Sequence, residues 1–415
     1  MLIHGATDVD IHPPLFGGAQ RCFGLYRGLA RRHTVRVLCM VPNRSSGGSE
    51  ERIEGVHILR RRAWYTALAW RLEQARLSPL FLAERGHRAT VAVALRNLPE
   101  APDVVMTDLH LGGLRERGPA RLRVHHAHNV EVDHFRSAGP PLLARGWWAG
   151  WLRSMEARAV ATADVVVAAS EEDAERLRSL YALPSSRVIV APNGYDETGI
   201  RPPTAPARAQ ARAALGIAER ETVCAFVGSD VPHNRAGLAL LTGRVMPALA
   251  GGGFRLLVIG RVARALAGRR EPWLIARGET RALSGLLDAA DVGLNPVVAG
   301  GGSNVKLPTY LGAGLAVVTT PHGLRGFDPL RPFVTVAEPA AMADALRERP
   351  VGWARGADGA GATAVPAPVA AYAWGRIGER LGDAFAARLP GLALAAGGDA
   401  DVDPDRGRDA RRRRA

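Results

Sequence analysis

The stretch Gly300-Gly301-Gly302-Ser303-Asn304-Val305-Lys306 joins a run of glycines to a helix start and one cation, a combination suited to holding an anionic oxygen. Glycines leave backbone N–H groups uncovered, and the first turn of a helix concentrates unpaired donors and the positive end of the dipole. The chain carries 54 Lys and Arg residues, and Lys306, one turn into a helix expected over about 303–311, is its single lysine. A compact ammonium is not equivalent to a planar guanidinium where a crowded phosphate is approached by a point charge. A Gly-rich surface loop ahead of an ordinary helix spells the same letters, so a phosphate pocket and a plain loop both remain open here.

Two other places could do chemistry. Gly17-Gly18 lies between a first apolar strand and a first helix, where α/β sheets bind ligands outside the carboxyl ends of their strands. The cluster His125, His126, His128, followed by Asn129 and Glu131, ends another strand, and a histidine there can move a proton near neutral pH. A structural hydrogen bond is the equal alternative for His128. Alternation puts His126 and His128 on one side and His125 on the other, which argues against a metal site. Cys22, Cys39 and Cys224 are far apart and odd in number, so neither a disulfide framework nor a metal spacing is indicated.

The elements that must position these groups follow from periodicity. Strands are expected near residues 2–5, 35–41, 56–60, 103–107, 121–127, 164–169 and 188–191. Helices are expected over 19–32, 64–94, from the Trp147, Trp148, Trp151 segment to 161, and over 171–181 behind an N-cap at Ser170. A loop is expected over 44–54 and a Pro-rich linker over 199–207. The second half repeats the alternation: helices over 208–215, 236–250 and 282–290, strands over 222–227 and 255–259, then the β-α-β unit 291–328. A final helix, 371–389, carries Trp374, Ile377, Leu381 and Phe385 on one stripe. Strands alternating with helices in both halves predict two Rossmann-like, doubly wound α/β domains facing across one cleft.

Composition bounds the partners. With 415 residues, 47% of them hydrophobic, and a formal charge of +14, the chain has ample core and attracts anions. No basic, aromatic-rich nucleic-acid motif appears, so nucleic acid is not an expected partner. No apolar run approaches the roughly 20 residues that span a bilayer. Tryptophan beside arginine near Trp147 and Trp148 reads either as core or as peripheral contact with anionic membrane. A cytoplasmic protein, peripheral at most to the inner face of the membrane, is expected. Residues 397–415 read as a disordered basic tail.

The residues Gly17-Gly18-Ala19-Gln20-Arg21, His128-Asn129-Val130-Glu131, Ser170 with Asp173, Pro192-Asn193-Gly194-Tyr195-Asp196, Pro232-His233-Asn234, Gly302-Ser303-Asn304-Val305-Lys306 and Trp374, in that order, resemble the retaining, nucleotide-sugar-dependent glycosyltransferases of family 4. The resemblance runs over nearly all of residues 1 to 390. It implies a GT-B fold: an acceptor domain over 1–198, completed by helix 371–390, and a donor domain over 207–365. It implies that Gly17 and Gly18 lie under the donor diphosphate and that His128 contacts the donor sugar. Lys306 with Gly302, Ser303 and Asn304 would hold the leaving diphosphate, with Gly228 in the same donor site. No metal and no cofactor are implied, and the acceptor is an unidentified hydroxyl of an envelope polysaccharide, a lipid-linked glycan or a small molecule.

Three positions depart from that pattern. Thr309 stands where relatives carry the glutamate that holds the nucleotide ribose, Gly301 where they carry a second acid, and Ser229 where many carry an arginine. Arg235 is the candidate substitute for that arginine. Losing a charged hydrogen bond to ribose weakens nucleotide recognition by roughly 1.5–3 kcal/mol. These departures keep an alternative open, a catalytically silent GT-B-like partner of another transferase. A nucleotide-sugar epimerase would need an acid/base pair for which no acidic residues are placed.

Overall fold

The computed structural model describes residues 1–41, 49–61, 100–108, 120–138, 146–280, 283–299, 304–348 and 365–389, with residue 111 and scattered positions between 68 and 98. Most of the helix expected over 64–94, the turn 300–302 with Ser303, and the tail 397–415 lie outside the described residues.

The first sheet comprises β1 (Leu2–Thr7), β2 (Thr34–Met40), β3 (Glu50–Ile53), β4 (Val56–Arg61), β5 (Val104–Asp108), β6 (Leu122–His126), β7 (Val165–Ala168) and β8 (Val188–Val190). Their order is β3-β4-β2-β1-β5-β6-β7-β8, all parallel except the β3/β4 pair. The second sheet comprises β9 (Thr222–Val227), β10 (Phe254–Ile259), β11 (Leu274–Arg277), β12 (Val292–Asn295), β13 (Ala316–Thr319) and β14 (Thr335–Val336), ordered β11-β10-β9-β12-β13-β14. Parallel strands covered on both faces read as continuous apolar runs, as in the fully buried Val165–Ala168. In both sheets the strand order reverses around the first strand, β1 between β2 and β5, β9 between β10 and β12. Ligands bind beyond the strand ends at such reversals. Gly17-Gly18 follows β1 and Gly228 follows β9, so both glycine turns sit at these points.

The longer helices are α1 (Gly17–Ala30), α2 (Glu131–Ala138), α3 (Gly146–Thr162), α4 (Glu171–Tyr181), α5 (Ala205–Ala214), α6 (Pro232–Leu240), α7 (Lys306–Gly312) and α8 (Trp374–Ala386). Ser170 caps α4 as expected, its hydroxyl accepting from Asp173 N at 3.0 Å. The stripe Trp374, Ile377, Leu381, Phe385 is buried in the core of the first sheet, against α1. The two helices cross where both carry glycine: a Cβ added at Gly378 would lie 2.3 Å from the backbone carbon of Gly28. The chain leaves and re-enters the first domain side by side, with Tyr195 N donating to Tyr372 O (3.0 Å) and Trp374 N to Tyr195 O (3.1 Å).

Several boundaries differ from expectation. The polar segment expected to be a loop over 44–54 contains β3, an edge strand whose Glu/Glu/Arg sequence hides the signal. Strand β11 was not anticipated, since Leu-Ile-Ala-Arg is too short to show alternation. Helix α5 starts at Ala205, because Thr204 caps it and Pro206 suits a first turn. Helix α6 starts at Pro232, whose ring suits the first helical position, four residues before its expected start, and turns through a π segment at 241–245. Trp148 and Trp151 stack edge-on at 6.1 Å and pack on Leu152 and Met155. Among the described residues, no helix is long and apolar enough to cross a membrane.

Candidate active site

A cavity of about 1100 Å³ opens between the carboxyl ends of the two sheets. Its C-terminal wall is floored by Gly228 and Gly260. Gly260 has φ +101°, and a Cβ there would lie 2.4 Å from Gly228 O, so the two loops approach as backbone only. Beside this floor stands Lys306, the first residue of α7 rather than one turn in. Its Nζ donates to Asn234 Oδ1 (2.7 Å) and Asn304 Oδ1 (3.2 Å) and sits 5.7 Å from the centre of the Phe226 ring. Asn234 is held in turn by Ser229, its amide nitrogen donating to the Ser229 carbonyl at 3.0 Å. Burial lowers Lys306 to about 8. Both of these partners are neutral amides, so they orient the ammonium without cancelling its charge.

The opposite wall carries Gly17 and Gly18 at the start of α1 and, behind them, His128. The edge of its ring bearing Nδ1 lies toward Gly18, where an added Cβ would be 3.7 Å away. The other edge faces inward. His128 Nε2 is 3.5 Å from Asp108 Oδ1 and 3.4 Å from Cys22 Sγ. Asp108 also accepts from His126 Nδ1 (2.7 Å) and from the Cys22 thiol (3.1 Å). Burial pushes Asp108 up, but the electrostatic pull and hydrogen bonds of the His128 and His126 imidazoles outweigh it and hold the carboxyl well below its usual range. His126 is held neutral, its pKa lowered to about 3 first by burial and then by His128. Burial and the Asp108 charge keep Cys22 a thiol. The carboxylate thus fixes the His128 ring from below, leaving the cavity edge free for a ligand.

Of the residues singled out in the sequence, Gly17, Gly18, His128, Gly228, Asn304, Lys306 and Thr309 all line this cavity, while Gly302 and Ser303 lie outside the described residues. Arg235 does not line it. Its guanidinium points to solvent and pairs with Asp230 (2.5 Å), so it does not replace the arginine absent at Ser229. A side chain on the solvent face of α6, five residues beyond an acidic partner, is captured locally. Thr309 spends its hydroxyl on the carbonyl of Val305 at 2.9 Å. Reasoning from sequence missed Asn234 as the orienter of Lys306, Arg261 on the cavity rim, and Asp108 with Cys22 beneath His128. Alternation along one strand separates His125 from His126 and His128 but says nothing of ligands from elsewhere. In the structure Cys22 and Asp108 arrive from other elements, and Cys22, Asp108, His126 and His128 each present a ligand atom within 4.8 Å of the others.

An ion pair and a hydrogen bond link the domains beside the cavity: Arg325 binds Asp173, and Gly326 N donates to Glu172 Oε1 at 3.1 Å. Buried Arg21 donates to Ala191 O (2.8 Å) and Asn193 Oδ1 (3.2 Å), tying α1 to the segment that leaves the first domain.

Residues 16–198 match the sequence model of Glycosyltransferase Family 4, and residues 221–349 match that of Glycosyl transferases group 1. A D-inositol 3-phosphate glycosyltransferase of Nocardia farcinica is 39% identical over 107 residues, which is 24% of this chain and 23% of that protein. The chain therefore matches less than a third of the length of such relatives. Among solved structures, the sucrose-phosphate synthase of Thermosynechococcus elongatus superposes with a TM-score of 0.64 at 16% identity, covering 96% of this chain and 98% of that one. Anabaena Alr3699/HepE, solved in complex with UDP, superposes with a TM-score of 0.54 at 12% identity, covering 96% and 100%. These likenesses establish the GT-B fold. With both family models matched in order along that frame, the chain belongs to glycosyltransferase family 4.

Proposed function

We propose that this chain transfers a sugar from a nucleoside diphosphate donor to a hydroxyl acceptor, with retention at the anomeric carbon and without a metal in the chemical step. The observation that carries the reading is Lys306: a half-buried ammonium, oriented by two neutral amides, facing the Gly17-Gly18 turn across one cavity. As the donor's glycosidic bond to phosphate lengthens, negative charge grows on the diphosphate and positive charge on the sugar ring. Fixed donors and one cation stabilise the leaving group without reorganising. His128, held by Asp108, presents its Nδ1 edge to the sugar. The cavity offers no carboxylate that we assign as a nucleophile, so the acceptor attacks from the face the diphosphate leaves, through an oxocarbenium-like state. The acceptor proton passes to the departing phosphate oxygen.

Thr309 and Ser229 are the support for the silent-partner alternative. Ser229 nonetheless contributes to the site by holding Asn234. UDP in the complex of the Anabaena protein makes a UDP-sugar the first donor to try. Calorimetry against UDP-, GDP-, ADP- and dTDP-sugars, followed by turnover with the tightest binder, tests the reading. Absence of nucleotide diphosphate binding in both the wild type and a Thr309→Glu variant would overturn it.

Peripheral contact with anionic membrane is part of the proposal, supported by the charge of +14 and by Arg145 and Arg153 beside Trp147, Trp148 and Trp151 in the sequence. Salt-sensitive binding to anionic vesicles is expected, and equal partitioning onto neutral vesicles refutes it.

A further inference from the structure

The set of groups beneath His128 is larger than the positioning of one imidazole requires. We propose that Cys22, Asp108, His126 and His128 form a binding site for a divalent cation of the zinc class, and that its occupancy inhibits the transferase. The binding half stands on the side-chain geometry alone; the inhibitory half rests on the transferase reading given above.

The donor set is one sulfur, one carboxylate oxygen and two imidazole nitrogens, mutually within 4.8 Å. Zinc favours such a mixture in a tetrahedral arrangement, whereas magnesium and calcium take mostly oxygen in larger shells. Zinc–ligand bonds of about 2.0–2.3 Å place neighbouring ligand atoms roughly 3–4 Å apart. The separations here are 3.1 Å from Cys22 Sγ to Asp108, 3.4 Å from Cys22 Sγ to His128 Nε2, 3.5 Å from His128 Nε2 to Asp108, and 2.7 Å from Asp108 to His126 Nδ1. A cation entering their midst needs small outward shifts, mainly between Asp108 and His126. Three ligands stand on rigid elements, Cys22 in α1, Asp108 at the end of β5 and His126 at the end of β6, which keeps the spacing fixed. A thiolate and a carboxylate together neutralise a dication, so the filled site carries no net charge into the protein interior.

Binding forms the metal–sulfur bond and releases the Cys22 thiol proton to solvent. Asp108 exchanges its hydrogen bonds for the metal, and both histidines present lone pairs to it. For His126 the ring proton then moves to Nε2, a buried atom with no hydrogen-bond partner among the described residues, which keeps the affinity below that of a fully satisfied structural zinc site. For His128 the proton moves to Nδ1, the edge facing Gly18 and the cavity. An acceptor toward the donor sugar thereby becomes a donor, and this change of polarity is the basis of inhibition. Cys22, Asp108 and His126 are 0–1% exposed, and His128, at 18% exposure of its side chain, is the member that reaches the cavity. The metal therefore enters from the donor side, and bound nucleotide slows its entry.

The test is titration of the chelator-treated full chain with Co²⁺. One equivalent is expected to produce a thiolate-to-cobalt charge-transfer band and visible bands of tetrahedral intensity, slower to appear with UDP present. Cys22→Ala is expected to lose the charge-transfer band, and Cys39→Ala and Cys224→Ala to keep it. If Cys22→Ala does not fold, X-ray absorption on the zinc-loaded wild type decides the matter, with one sulfur in the metal shell supporting the site and none overturning it. A spectrum without charge transfer, or one unchanged in folded Cys22→Ala, also overturns it. Turnover that Zn²⁺ lowers tenfold or more in the wild type, but not in Cys22→Ala, supports inhibition; metal binding with unchanged turnover overturns that half. A chain that binds Co²⁺ through sulfur yet turns over no nucleotide sugar leaves the site standing and removes the transferase reading.

Discussion

The two walls of the cavity hold their cations in opposite ways. On the N-terminal wall, Arg27 is set against Glu54, Asp196 and Glu197, Arg60 against Asp10 and Glu51, and Arg21 against backbone carbonyls and the Asn193 amide. On the C-terminal wall, Lys306 meets the amide oxygens of Asn234 and Asn304. A guanidinium matched to carboxylates joins elements of the fold and has little field left for a ligand. An ammonium on neutral dipoles keeps its charge for an incoming anion. These guanidinium groups of the N-terminal wall are therefore spent on cohesion, whereas Lys306 on the other wall is kept for chemistry, a distinction that the overall charge of +14 conceals.

The largest expected effect tests the chemical wall. Lys306→Ala should lower kcat by about 10²–10³ with a verified donor, by analogy with the loss of one fixed oxyanion donor, while thermal unfolding changes by only a few degrees. Lys306→Arg should fall between the two, because a planar fork cannot sit where Asn234 and Asn304 receive a compact ammonium. Wild-type rates in both variants would refute the distinction between the walls.

Arg21→Ala probes the cohesive wall and should do the reverse. It strands the carbonyl of Ala191 and opens a void in a 2% exposed site, at a cost of about 3 kcal/mol by denaturant unfolding. The affinity of the folded fraction for nucleotide should change little. A variant with wild-type stability and no nucleotide binding would mean that Arg21 is a ligand.

A pH series sharpens the contrast. With Lys306 lowered to about 8, nucleoside diphosphate affinity should fall up to tenfold per pH unit above that value. The contribution of Lys306 to folding has the opposite sign: between about 8 and its unfolded value of 10.5 the unfolded chain holds the extra proton, so stability rises with pH. Both slopes should vanish in Lys306→Met. Calorimetry and unfolding measured from pH 7 to 10 would expose a pH-independent affinity, which contradicts the assignment.

The smallest expected effect concerns the departure at Thr309. Thr309→Glu places a carboxylate one turn beyond Lys306 on the cavity side of α7, and nucleotide affinity should rise roughly tenfold, the worth of one charged hydrogen bond. A ribose contact acts equally in ground and transition states, so KM should fall more than kcat rises. A gain confined to kcat would show that the new carboxylate acts elsewhere.

Local patterns were legible wherever one element carried the whole signal. The Ser170 cap, the stripe from Trp374 to Phe385, the glycine turns at Gly17 and Gly228, and the solitary Lys306 were all readable, because spacing along one helix or strand end decides them. Short or polar elements were not: β3 and β11 form because neighbouring strands offer them a register, a fact their own four residues do not contain.

The sequence by itself determined that two alternating α/β halves would meet, that Lys306 would follow a glycine run near the beginning of a helix, and that His126 and His128 would share a side. Only the tertiary structure decided that Arg235 turns to Asp230 rather than into the cavity, that Ser229 and Asn234 orient Lys306, and that Cys22 and Asp108 lie beneath His128. The reason is geometric. Parallel strands and the helix after β1 all deliver their ends to one edge of the sheet, so residues 22, 108, 126 and 128, drawn from α1, β5 and the end of β6, come within bonding reach through a strand order that no stretch of sequence encodes alone.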